Sequence, residues 1–390
     1  MYTFKIYNSI AQEGIDGLKK NGFKEYQEDP DALIIRSKIL NEEDFNKSLK
    51  CICRAGAGVN HIPIDMATKK GVVVFNTPGG NANAVKELVI CGLLLSSRGI
   101  IQGHKFAQGL VEKNQKDLTN LVELNKKNFK GCELKGKTIG IIGLGSIGSL
   151  LAQSVKSMGM KIIGYDPNIS IDSAWQLPKD VEKAENLRYL LSNSDYISLH
   201  VPLLDETKNL ISKNNINFIK KGSKLINLSR GAIVNNNDVL HALINKKISC
   251  FVTDFPSPEL VKRSSEFDDV ILLPHLGAST KEAEINCAIM AAEQANKFLK
   301  DGEIINSINF PRVRLGRTTE NRLVIVHKDK PGLIGSITSE IASENINIAD
   351  MINKSRNEVA ITLIDLSSKP TKNLICNIKN IKKVLSIRCC

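Results

Sequence analysis

From residue 138 onward, short runs of β-branched apolar residues alternate with amphipathic stretches of helical length. An apolar run of this length is typical of a buried strand, and an amphipathic stretch can cover one face of a sheet. The alternation is typical of βαβ units, which build a parallel sheet. It predicts strands at 138–142, 161–165, 196–200, 224–228, 249–253 and 270–273, with helices at 147–158 and 237–245.

The first 97 residues repeat this pattern more weakly, and they predict a second, smaller parallel-sheet unit. A long amphipathic run follows the last strand of the larger unit, and the polar segment 105–130 fits either a connector helix or a mobile flap. The predicted strands of the smaller unit lie at 3–7, 32–35, 51–54 and 72–75, and the amphipathic run covers 281–299.

A basic, proline-containing stretch at 311–320 precedes a different pattern of elements. Over the last 70 or so residues the order becomes βαββαβ, which is typical of a ferredoxin-like domain. We therefore expect an α/β protein with two Rossmann-like, doubly wound parallel-sheet domains and a C-terminal ferredoxin-like domain. The C-terminal elements are predicted at 322–327, 333–344, 347–353, 358–366, 372–380 and 383–388.

The composition narrows the class of protein. The chain has 390 residues, of which 42% are hydrophobic and 24% charged, as in globular domains. No window approaches about 18 consecutive apolar residues, and the first residues lack the pattern of a secretory signal peptide. Nine cysteines include no CxxC pair, which favours free thiols in a reducing cytosol. We expect a cytoplasmic protein without a membrane span.

A formal net charge of +12 permits nucleic-acid binding, because clustered Lys and Arg displace counterions from phosphates. The basic residues are dispersed, however, and aromatic residues make up only 5% of the chain, so no basic stripe with stacking rings appears. We expect no nucleic-acid partner, and part of the charge can attract a small anionic substrate. No metal site is predicted, since the histidines other than His275 and His327 lack metal-ligand spacing: His61, His104, His200 and His241.

The strongest local motif is GLGSIG at Gly143–Gly148, directly after a predicted strand and at the start of a predicted helix. In a dinucleotide fold Gly143 permits the tight turn, Gly145 lets the backbone approach a pyrophosphate, and Gly148 allows close helix–strand packing. Asp166 ends the next strand, 18 residues after Gly148, near the spacing of the carboxylate that binds the adenosine ribose. Its charge would repel a 2′-phosphate, so the sequence favours NAD over NADP.

A second group of polar residues follows three predicted strands of the larger unit. Arg230, Asp254 and His275 should emerge at the carboxyl edge of one parallel sheet, where ligands of open α/β folds bind. Arg230 can bind a substrate carboxylate with two donors, and His275 can exchange the hydroxyl proton of a hydroxy acid. We expect Glu259 to hydrogen-bond the other ring nitrogen of His275 and fix its tautomer. This set predicts hydride chemistry on a 2-hydroxy acid.

Several short motifs occur along the chain in a fixed order and support this prediction. Through these motifs the chain resembles the D-2-hydroxyacid dehydrogenase family over residues 1 to about 310, although Asn60, His61 and Leu260 depart from the family's pattern. The motifs are Arg36-Ser37, Arg54-Ala55-Gly56-Ala57-Gly58-Val59, Asn76-Thr77-Pro78, Gly143–Gly148, His200-Val201-Pro202-Leu203 with Thr207, Asn227-Leu228-Ser229-Arg230-Gly231, Asp254 with Glu259, and Pro274-His275-Leu276-Gly277-Ala278-Ser279-Thr280.

The resemblance implies a site and a domain plan. The catalytic set is Arg230, Glu259 and His275, and a discontinuous substrate-binding domain (1–97 and 281–310) carries an inserted NAD-binding Rossmann domain (98–280). The implied substrate contacts are Arg36, Ser37, Arg54, Ala55, Gly56 and Ala57. The implied NAD contacts are Thr77, Gly143, Gly145, Ser146, Ile147, Gly148, Asp166, Thr207, Leu228, Ser229, Arg230, Asp254, His275, Gly277 and Ala278.

The C-terminal residues also resemble a known segment. After a linker at 311–320, residues 321–390 look like the ACT regulatory domain that binds serine at a dimer interface in many such enzymes. On this resemblance His327 and Asn347 match serine-contacting positions, whereas Asp329 replaces an asparagine. L-serine is the implied effector and a homo-dimer or homo-tetramer the implied assembly. The alternative for this domain is a purely structural dimerisation module.

The implied activity is NAD-dependent oxidation of 3-phospho-D-glycerate, a phosphorylated hydroxy acid, to 3-phosphohydroxypyruvate, the first step of L-serine synthesis. Two alternatives stay open at this point. The chain could act on another 2-hydroxy acid, such as glycerate, or on hydroxypyruvate. It could also be a non-catalytic NAD(H) sensor that works by binding partners, like the co-repressor relatives of this fold.

Overall fold

A computed structural model describes residues 1–111 and 113–390 of the chain. The chain divides into two compact units, and the second is inserted in the sequence of the first. Unit 1 comprises residues 1–81 and 281–390, and unit 2 comprises residues 82–280. Within the described residues, no helix is both long enough and apolar enough to span a bilayer.

The N-terminal part of unit 1 is built on a five-stranded parallel sheet with the order β2-β1-β3-β4-β5. Its central strands are apolar at consecutive positions because helices cover both faces, as in other parallel sheets. This confirms the predicted smaller α/β unit. The elements are β1 (Thr3–Tyr7), α1 (Gln12–Lys20), β2 (Lys24–Glu25), β3 (Ala32–Ile35), β4 (Cys51–Arg54), α2 (Ile64–Lys69) and β5 (Val73–Phe75).

Unit 2 contains a seven-stranded parallel sheet with the order β12-β11-β10-β9-β6-β7-β8. The strand order reverses beside β6, and in open α/β sheets such a switch point is where ligands bind. The elements are α3 (Ala82–Ser97), α4 (Ile100–Gln108), α5 (Gln115–Asn125), β6 (Thr138–Ile142), α6 (Ser146–Ser157), β7 (Lys161–Tyr165), α7 (Ile171–Ala174), β8 (Glu182–Lys183), α8 (Leu187–Asn193), β9 (Tyr196–Leu199), β10 (Ser223–Asn227), α9 (Asn236–Ile244), β11 (Ile248–Thr253), α10 (Pro258–Glu266) and β12 (Val270–Leu272).

Helix α3 belongs to unit 2, whereas the expected boundary at residue 97 placed it in the first domain. The reason is packing: Val85, Val89 and Leu93 are buried in one apolar cluster with Ile226 and Val252 of the central strands. In the segment predicted as a connector helix or a flap, the structure has α4, α5 and a 3₁₀ turn at 126–129. Residue 112 of that segment lies outside the described residues.

The C-terminal part of unit 1 has the predicted βαββαβ order and an antiparallel sheet ordered β14-β15-β13-β16. Successive side chains point to opposite faces of the sheet and both faces are covered, so β13 is buried except at its two ends and β15 is buried throughout. A long helix leads into this sheet. The elements are α11 (Lys281–Asp301), β13 (Asn321–Lys328), α12 (Leu333–Ser343), β14 (Ile348–Arg356), β15 (Val359–Leu366), α13 (Lys372–Asn380) and β16 (Val384–Cys389).

The C-terminal sheet is docked onto α11 and is not held only by a loose linker. Val324 and Leu363 join the apolar cluster around Phe298 of α11. The guanidinium of Arg388 lies 4.3 Å from the Phe298 ring centroid and donates to the Phe298 carbonyl at 2.6 Å. The predicted linker at 311–320 is itself anchored, because the buried Arg322 donates to two of its carbonyls and pairs with Asp365.

Candidate active site

The glycine-rich turn of unit 2 joins β6 to α6, as the motif predicts. Gly143 adopts φ +92°, and a Cβ there would lie 2.8 Å from the main chain of His200. At Gly148 an ideal Cβ would lie 2.0 Å from the Gly143 carbonyl oxygen, so no side chain fits. At Gly145, the N-cap of α6, a Cβ would meet no atom within 4 Å. The turn therefore leaves open space in front of a helix N-terminus, which suits a pyrophosphate.

Asp166 lies beside this turn. Its two carboxylate oxygens accept the backbone N–H groups of Leu144, at 2.8 Å, and Asn168, at 3.0 Å. The first of these bonds ties the end of β7 to the glycine turn. Each carboxylate oxygen keeps a lone pair for a second donor, so the group can still accept from ribose hydroxyls.

Arg230 follows β10 and is positioned by Asn227, the last residue of that strand. The buried Asn227 amide donates to the Arg230 carbonyl at 2.9 Å, and its oxygen accepts from the Ser229 hydroxyl at 3.0 Å. The Arg230 guanidinium donates to the Ser229 carbonyl at 2.6 Å. In the sequence, Asn227 was recognisable only as part of a motif. Its signal was a polar residue at the last position of a buried strand.

Asp254 connects the residues after β11 and β12. Its carbonyl accepts the His275 N–H at 3.0 Å, and its carboxylate accepts the Gly277 N–H at 3.0 Å. Burial raises the pKa of Asp254, while the Gly277 N–H, His275 and Arg230 oppose that rise. Three of the predicted residues are therefore close enough to interact electrostatically, and the structure brings them together at one sheet edge.

Two further features make this edge a candidate binding site. The second carboxylate oxygen of Asp254 is buried and has no hydrogen-bond partner among the described residues. A buried oxygen without a donor is costly, so it fits a donor from a ligand such as the carboxamide of nicotinamide. His275 is exposed and adopts φ +54°. Residues other than glycine rarely adopt this backbone conformation, and those that do are often found at functional sites.

Glu259 is the exception within unit 2. The expected hydrogen bond to His275 is not formed among the described residues; Glu259 instead accepts from Asn236 at 3.4 Å. It lies exposed in the first turn of α10, where its own N–H and Ser257 lower the pKa of its carboxyl. The His275 ring packs edge-on against Phe255, with the ring centroids 5.2 Å apart. The catalytic role of Glu259 stays a prediction.

Other residues predicted to contact NAD in unit 2 lie in the turns that follow its strands. Thr207 closes one turn by donating to the Pro202 carbonyl at 2.6 Å and accepting the Leu204 N–H at 2.8 Å. Gly277 is buried, and a Cβ there would lie 3.2 Å from the Asp254 carboxylate. The remaining ones occupy the start of α6 or the turns after β10 and β12: Ser146, Ile147, Leu228, Ser229 and Ala278.

In unit 1, the predicted substrate loop follows β4. Gly56 adopts φ +148°, and a Cβ there would lie 2.4 Å from Nη1 of Arg54, so the guanidinium rests across a glycine. Thr77 is buried and holds this loop, accepting the Gly56 N–H on its hydroxyl at 2.7 Å. Ala55 donates its N–H to the Ile35 carbonyl at 2.8 Å. The predicted residues Ala55, Gly56 and Ala57 thus form one braced turn with Arg54 above it.

The two predicted arginines of unit 1 are neighbours. Arg36 follows β3, and its carbonyl accepts from Nε of Arg54 at 3.1 Å. The next residue, Ser37, donates its N–H to the Asn8 side chain at 3.1 Å. Both burial and the charge of Arg54 lower the pKa of His61 at the end of this loop. Two guanidiniums beside an open turn can bind an anion such as a phosphate.

The two predicted effector contacts are not brought together within one chain. His327 is buried, and both its ring nitrogens are bonded at 2.8 Å, one to the Lys328 carbonyl and one to Thr362. His327 pairs with Ala360 of β15, whereas Asn347 precedes the residue that pairs with Leu366. Six residues of β15 separate these pairs, or about 20 Å. Asn347 is exposed.

Known proteins resemble this chain over most of its length. Residues 96–277 match the family described as D-isomer specific 2-hydroxyacid dehydrogenase, NAD binding domain. The D-3-phosphoglycerate dehydrogenase of Escherichia coli is 31% identical over 393 residues, covering 94% of this chain and 91% of that protein. The enzyme of the same name from Methanocaldococcus jannaschii is 33% identical over 360 residues, and the match covers 90% of this chain but only 65% of that longer protein.

Solved structures share the fold of most of the chain. An NAD⁺-bound 3-phosphoglycerate dehydrogenase from Entamoeba histolytica has a TM-score of 0.63 and 26% identity, covering 79% of this chain and 98% of that one. A D-lactate dehydrogenase from Escherichia coli, at 24% identity and a TM-score of 0.59, shows the fold alone. The predictions of a nicotinamide dinucleotide-binding domain and of NAD as cofactor are confirmed. The chain belongs to the D-isomer specific 2-hydroxyacid dehydrogenases.

Proposed function

We propose that this chain oxidises 3-phospho-D-glycerate to 3-phosphohydroxypyruvate with NAD as hydride acceptor, the first step of L-serine synthesis. The observation that carries the proposal is the position of Asp254, whose carboxylate interacts with both Arg230 and His275 at one sheet edge. Relatives of similar length that bear the phosphoglycerate dehydrogenase name support the choice of substrate. Bound NAD would accept the hydride, and the chain must handle the proton and the charges.

Each polar residue of unit 2 has a distinct task in this proposal. Arg230 binds the substrate carboxylate, because a guanidinium offers two parallel donors to a planar oxyanion. His275 takes the proton of the C2 hydroxyl while the C2 hydride leaves, and it returns that proton in the reverse direction. Asp254 would hold the nicotinamide carboxamide through its unpaired oxygen. Glu259 is assigned to favour the protonated imidazole once His275 has accepted the proton.

The phosphate is assigned to unit 1. Arg36 and Arg54 flank the turn at Gly56, and a phosphate dianion is a better partner for two guanidiniums than a neutral hydroxymethyl group. This assignment distinguishes the proposal from a glycerate or hydroxypyruvate enzyme. Turnover of a panel of 2-hydroxy and 2-keto acids tests it: we expect the phosphorylated pair to have the highest kcat/KM. A higher kcat/KM for glycerate or lactate would contradict the substrate assignment.

A non-catalytic NAD(H) sensor is the alternative from another class, and one variant separates the two. His275→Asn should lower kcat by about 10²- to 10⁴-fold, because a general base is lost, while the Kd of NADH stays within twofold. Wild-type protein without turnover on any acid of the panel would favour the sensor. Full activity of the variant would remove His275 from the mechanism.

We further propose that the C-terminal part of unit 1 is an ACT-like module that binds L-serine between two copies of the chain. The supporting observation is the βαββαβ order with its antiparallel sheet. His327 and Asn347 lie a strand length apart, so one small ligand can reach both only between two copies. Titration of activity with L-serine, together with sedimentation in the presence and absence of L-serine, tests both the effector and the assembly.

We also propose a cytoplasmic location. The nine cysteines are all free, which is compatible with a reducing cytoplasm.

A further inference from the structure

The first turn of α11 carries a carboxylate that no part of the proposed mechanism uses. Oε1 of Glu284 accepts from Nη2 of Arg36 at 2.6 Å, and both residues lie in unit 1 although 248 positions separate them in the sequence. The two side chains are about equally exposed, at 42% for Glu284 and 38% for Arg36. An ion pair of this exposure adds little to folding stability. Its effect must be sought in what it does to Arg36.

Arg36 has a fixed backbone and a side chain with one anchor. Its carbonyl accepts from Arg54, and the preceding residue, Ile35, is fully buried in β3. The guanidinium makes its single hydrogen bond among the described residues through Nη2, so Nε and Nη1 keep free donors. An unanchored arginine samples many rotamers and loses that freedom when it binds an anion. Glu284 removes much of that freedom before a ligand arrives.

Glu284 is itself held in place. It lies in the first turn of α11, where the helix dipole favours a negative charge. The body of α11 is fixed by buried residues, among them Ala283 and Cys287 on either side of Glu284. The carboxylate therefore approaches one edge of the Arg36 guanidinium from a rigid support. The Nε and Nη1 donors stay available for an oxyanion.

We propose that Glu284 is a positioning residue for substrate binding, which fixes the Arg36 guanidinium so that Nε and Nη1 donate to the substrate phosphate. This proposal rests on the assignment of Arg36 to the phosphate in the proposed function. Glu284 touches neither the reacting atoms nor the cofactor. Its contribution therefore belongs in KM and in the affinity for the phosphorylated acid, and kcat should not depend on it.

The chain offers a matched control for the test. Glu282 lies in the same turn of α11, is exposed, and forms no ion pair among the described residues. Glu282→Ala removes the same charge from the same helix end without touching Arg36. Glu284→Gln keeps an oxygen that can accept from Nη2 and removes only the charge. The full set is Glu284→Ala, Glu284→Gln, Glu282→Ala, Arg36→Ala and the double variant Arg36→Ala/Glu284→Ala.

We expect Glu284→Ala to raise KM for 3-phosphoglycerate by about two- to tenfold, the cost of immobilising one long side chain, with kcat unchanged. Glu284→Gln should lie between Glu284→Ala and wild type, and Glu282→Ala should match wild type. In the Arg36→Ala background, removal of Glu284 should have no further effect. Calorimetric titration with 3-phosphoglycerate in the absence of turnover should give the same ratios of Kd.

An unchanged or lowered KM in Glu284→Ala would overturn the proposal, since Glu284 would then be neutral or a competitor of the substrate. An equal rise in Glu282→Ala would overturn it too, because the effect would be general electrostatics. Failure of the proposed function has a different signature. If Arg36→Ala leaves the binding of 3-phosphoglycerate unchanged, the assignment of Arg36 to the phosphate is wrong. Melting temperatures within about 2 °C of wild type would show that all variants are folded.

Discussion

The two loops that we assign to anions are built by different means. The turn Gly143–Gly148 in unit 2 has open space at a helix N-terminus, and its three motif glycines offer only backbone groups. The loop after β4 in unit 1 also turns on a glycine, Gly56, but places the guanidinium of Arg54 across it and has Arg36 beside it. One loop depends on the absence of side chains and the other on their charge.

The difference follows from what each loop is assigned to bind. A dinucleotide pyrophosphate lies along a loop and needs close backbone approach, for which N–H groups and the helix dipole suffice. A small phosphorylated acid enters and leaves in each turnover, and cationic side chains at the loop raise its local concentration and its rate of association. We therefore expect substitutions that add side-chain volume in the glycine turn to weaken cofactor binding. Substitutions that remove charge from the loop after β4 should weaken substrate binding.

The largest effect is expected at Gly148. A Cβ there would lie 2.0 Å from the Gly143 carbonyl oxygen, so Gly148→Ala forces the turn apart. Overpacking of this kind costs about 1–3 kcal/mol, and we expect a lower melting temperature together with a rise of the Kd of NAD of at least about 100-fold. Fluorescence titration with NADH and calorimetry measure the two effects.

Gly145→Ala is the matched control, because its Cβ would meet no protein atom within 4 Å. The methyl group would occupy space assigned to the pyrophosphate, so affinity for NAD should fall while the melting temperature stays near that of wild type. Undiminished affinity in Gly145→Ala would show that the cofactor does not approach the turn at this point.

The second largest effect is expected from loss of charge in the loop after β4. Arg54→Ala should raise KM for 3-phosphoglycerate by about 10- to 100-fold, as expected for the loss of a hydrogen bond to a charged group. Arg54→Lys should recover part of this, because the charge remains but the two-donor fork is lost. The Kd of NADH should not change in either variant. Parallel titrations with substrate and with NADH check this, and an equal loss for both ligands would end the distinction between the loops.

Much of the fold and of this comparison could be predicted from the sequence. Apolar runs predicted the parallel sheets, and Arg230, Asp254 and His275 lie together because each comes within three residues of the end of a strand in one parallel sheet. The position of a strand end can be predicted from the local pattern of apolar residues alone. The predicted Glu259–His275 hydrogen bond is not formed among the described residues, for the opposite reason: Glu259 is on a helix after a turn, and its direction depends on side-chain packing that no local pattern specifies.

Long-range partners were beyond the sequence as well. Nothing in the segment around Glu284 indicates that its carboxylate meets Arg36, since amphipathic helices carry acidic residues in their first turns for their own stability. The placement of α3 in unit 2 was missed because an apolar helix at a domain boundary can pack on either neighbour. In each case the deciding contact joins residues far apart in the chain.

Acid should loosen the cofactor loop through His200, whose main chain packs against Gly143. Burial lowers the pKa of His200 to about 4, below the ordinary value of 6.5, and Nε2 bonds to Ser198 at 2.8 Å. The unfolded chain therefore binds more protons between these values, so stability falls as the pH drops through 6.5 toward 4. We expect a loss of about 1–2 kcal/mol between pH 7 and pH 5 from this group.

Urea unfolding followed by circular dichroism at the two pH values measures the loss. The control is His200→Asn, which removes the titrating ring and should reduce the difference between the two free energies of unfolding by that amount. Carboxylates that are stabilised in the folded state, such as Asp195, remain in both proteins and cancel in the comparison. An identical pH dependence in variant and wild type would contradict the assignment to His200.

The smallest effect concerns the choice between NAD and NADP at Asp166. Asp166→Asn keeps an oxygen that can accept the Leu144 N–H, so the glycine turn should hold its shape while the negative charge is lost. Affinity for NAD should fall by no more than about tenfold, the cost of weakened ribose hydrogen bonds. Affinity for NADP should rise, because the 2′-phosphate no longer meets a carboxylate. Asp166→Ala removes the turn contact as well and should weaken both cofactors. If Asp166→Asn still rejects NADP as strongly as wild type does, then shape and not charge excludes the phosphate, and the cofactor loop selects by the same steric means by which it binds.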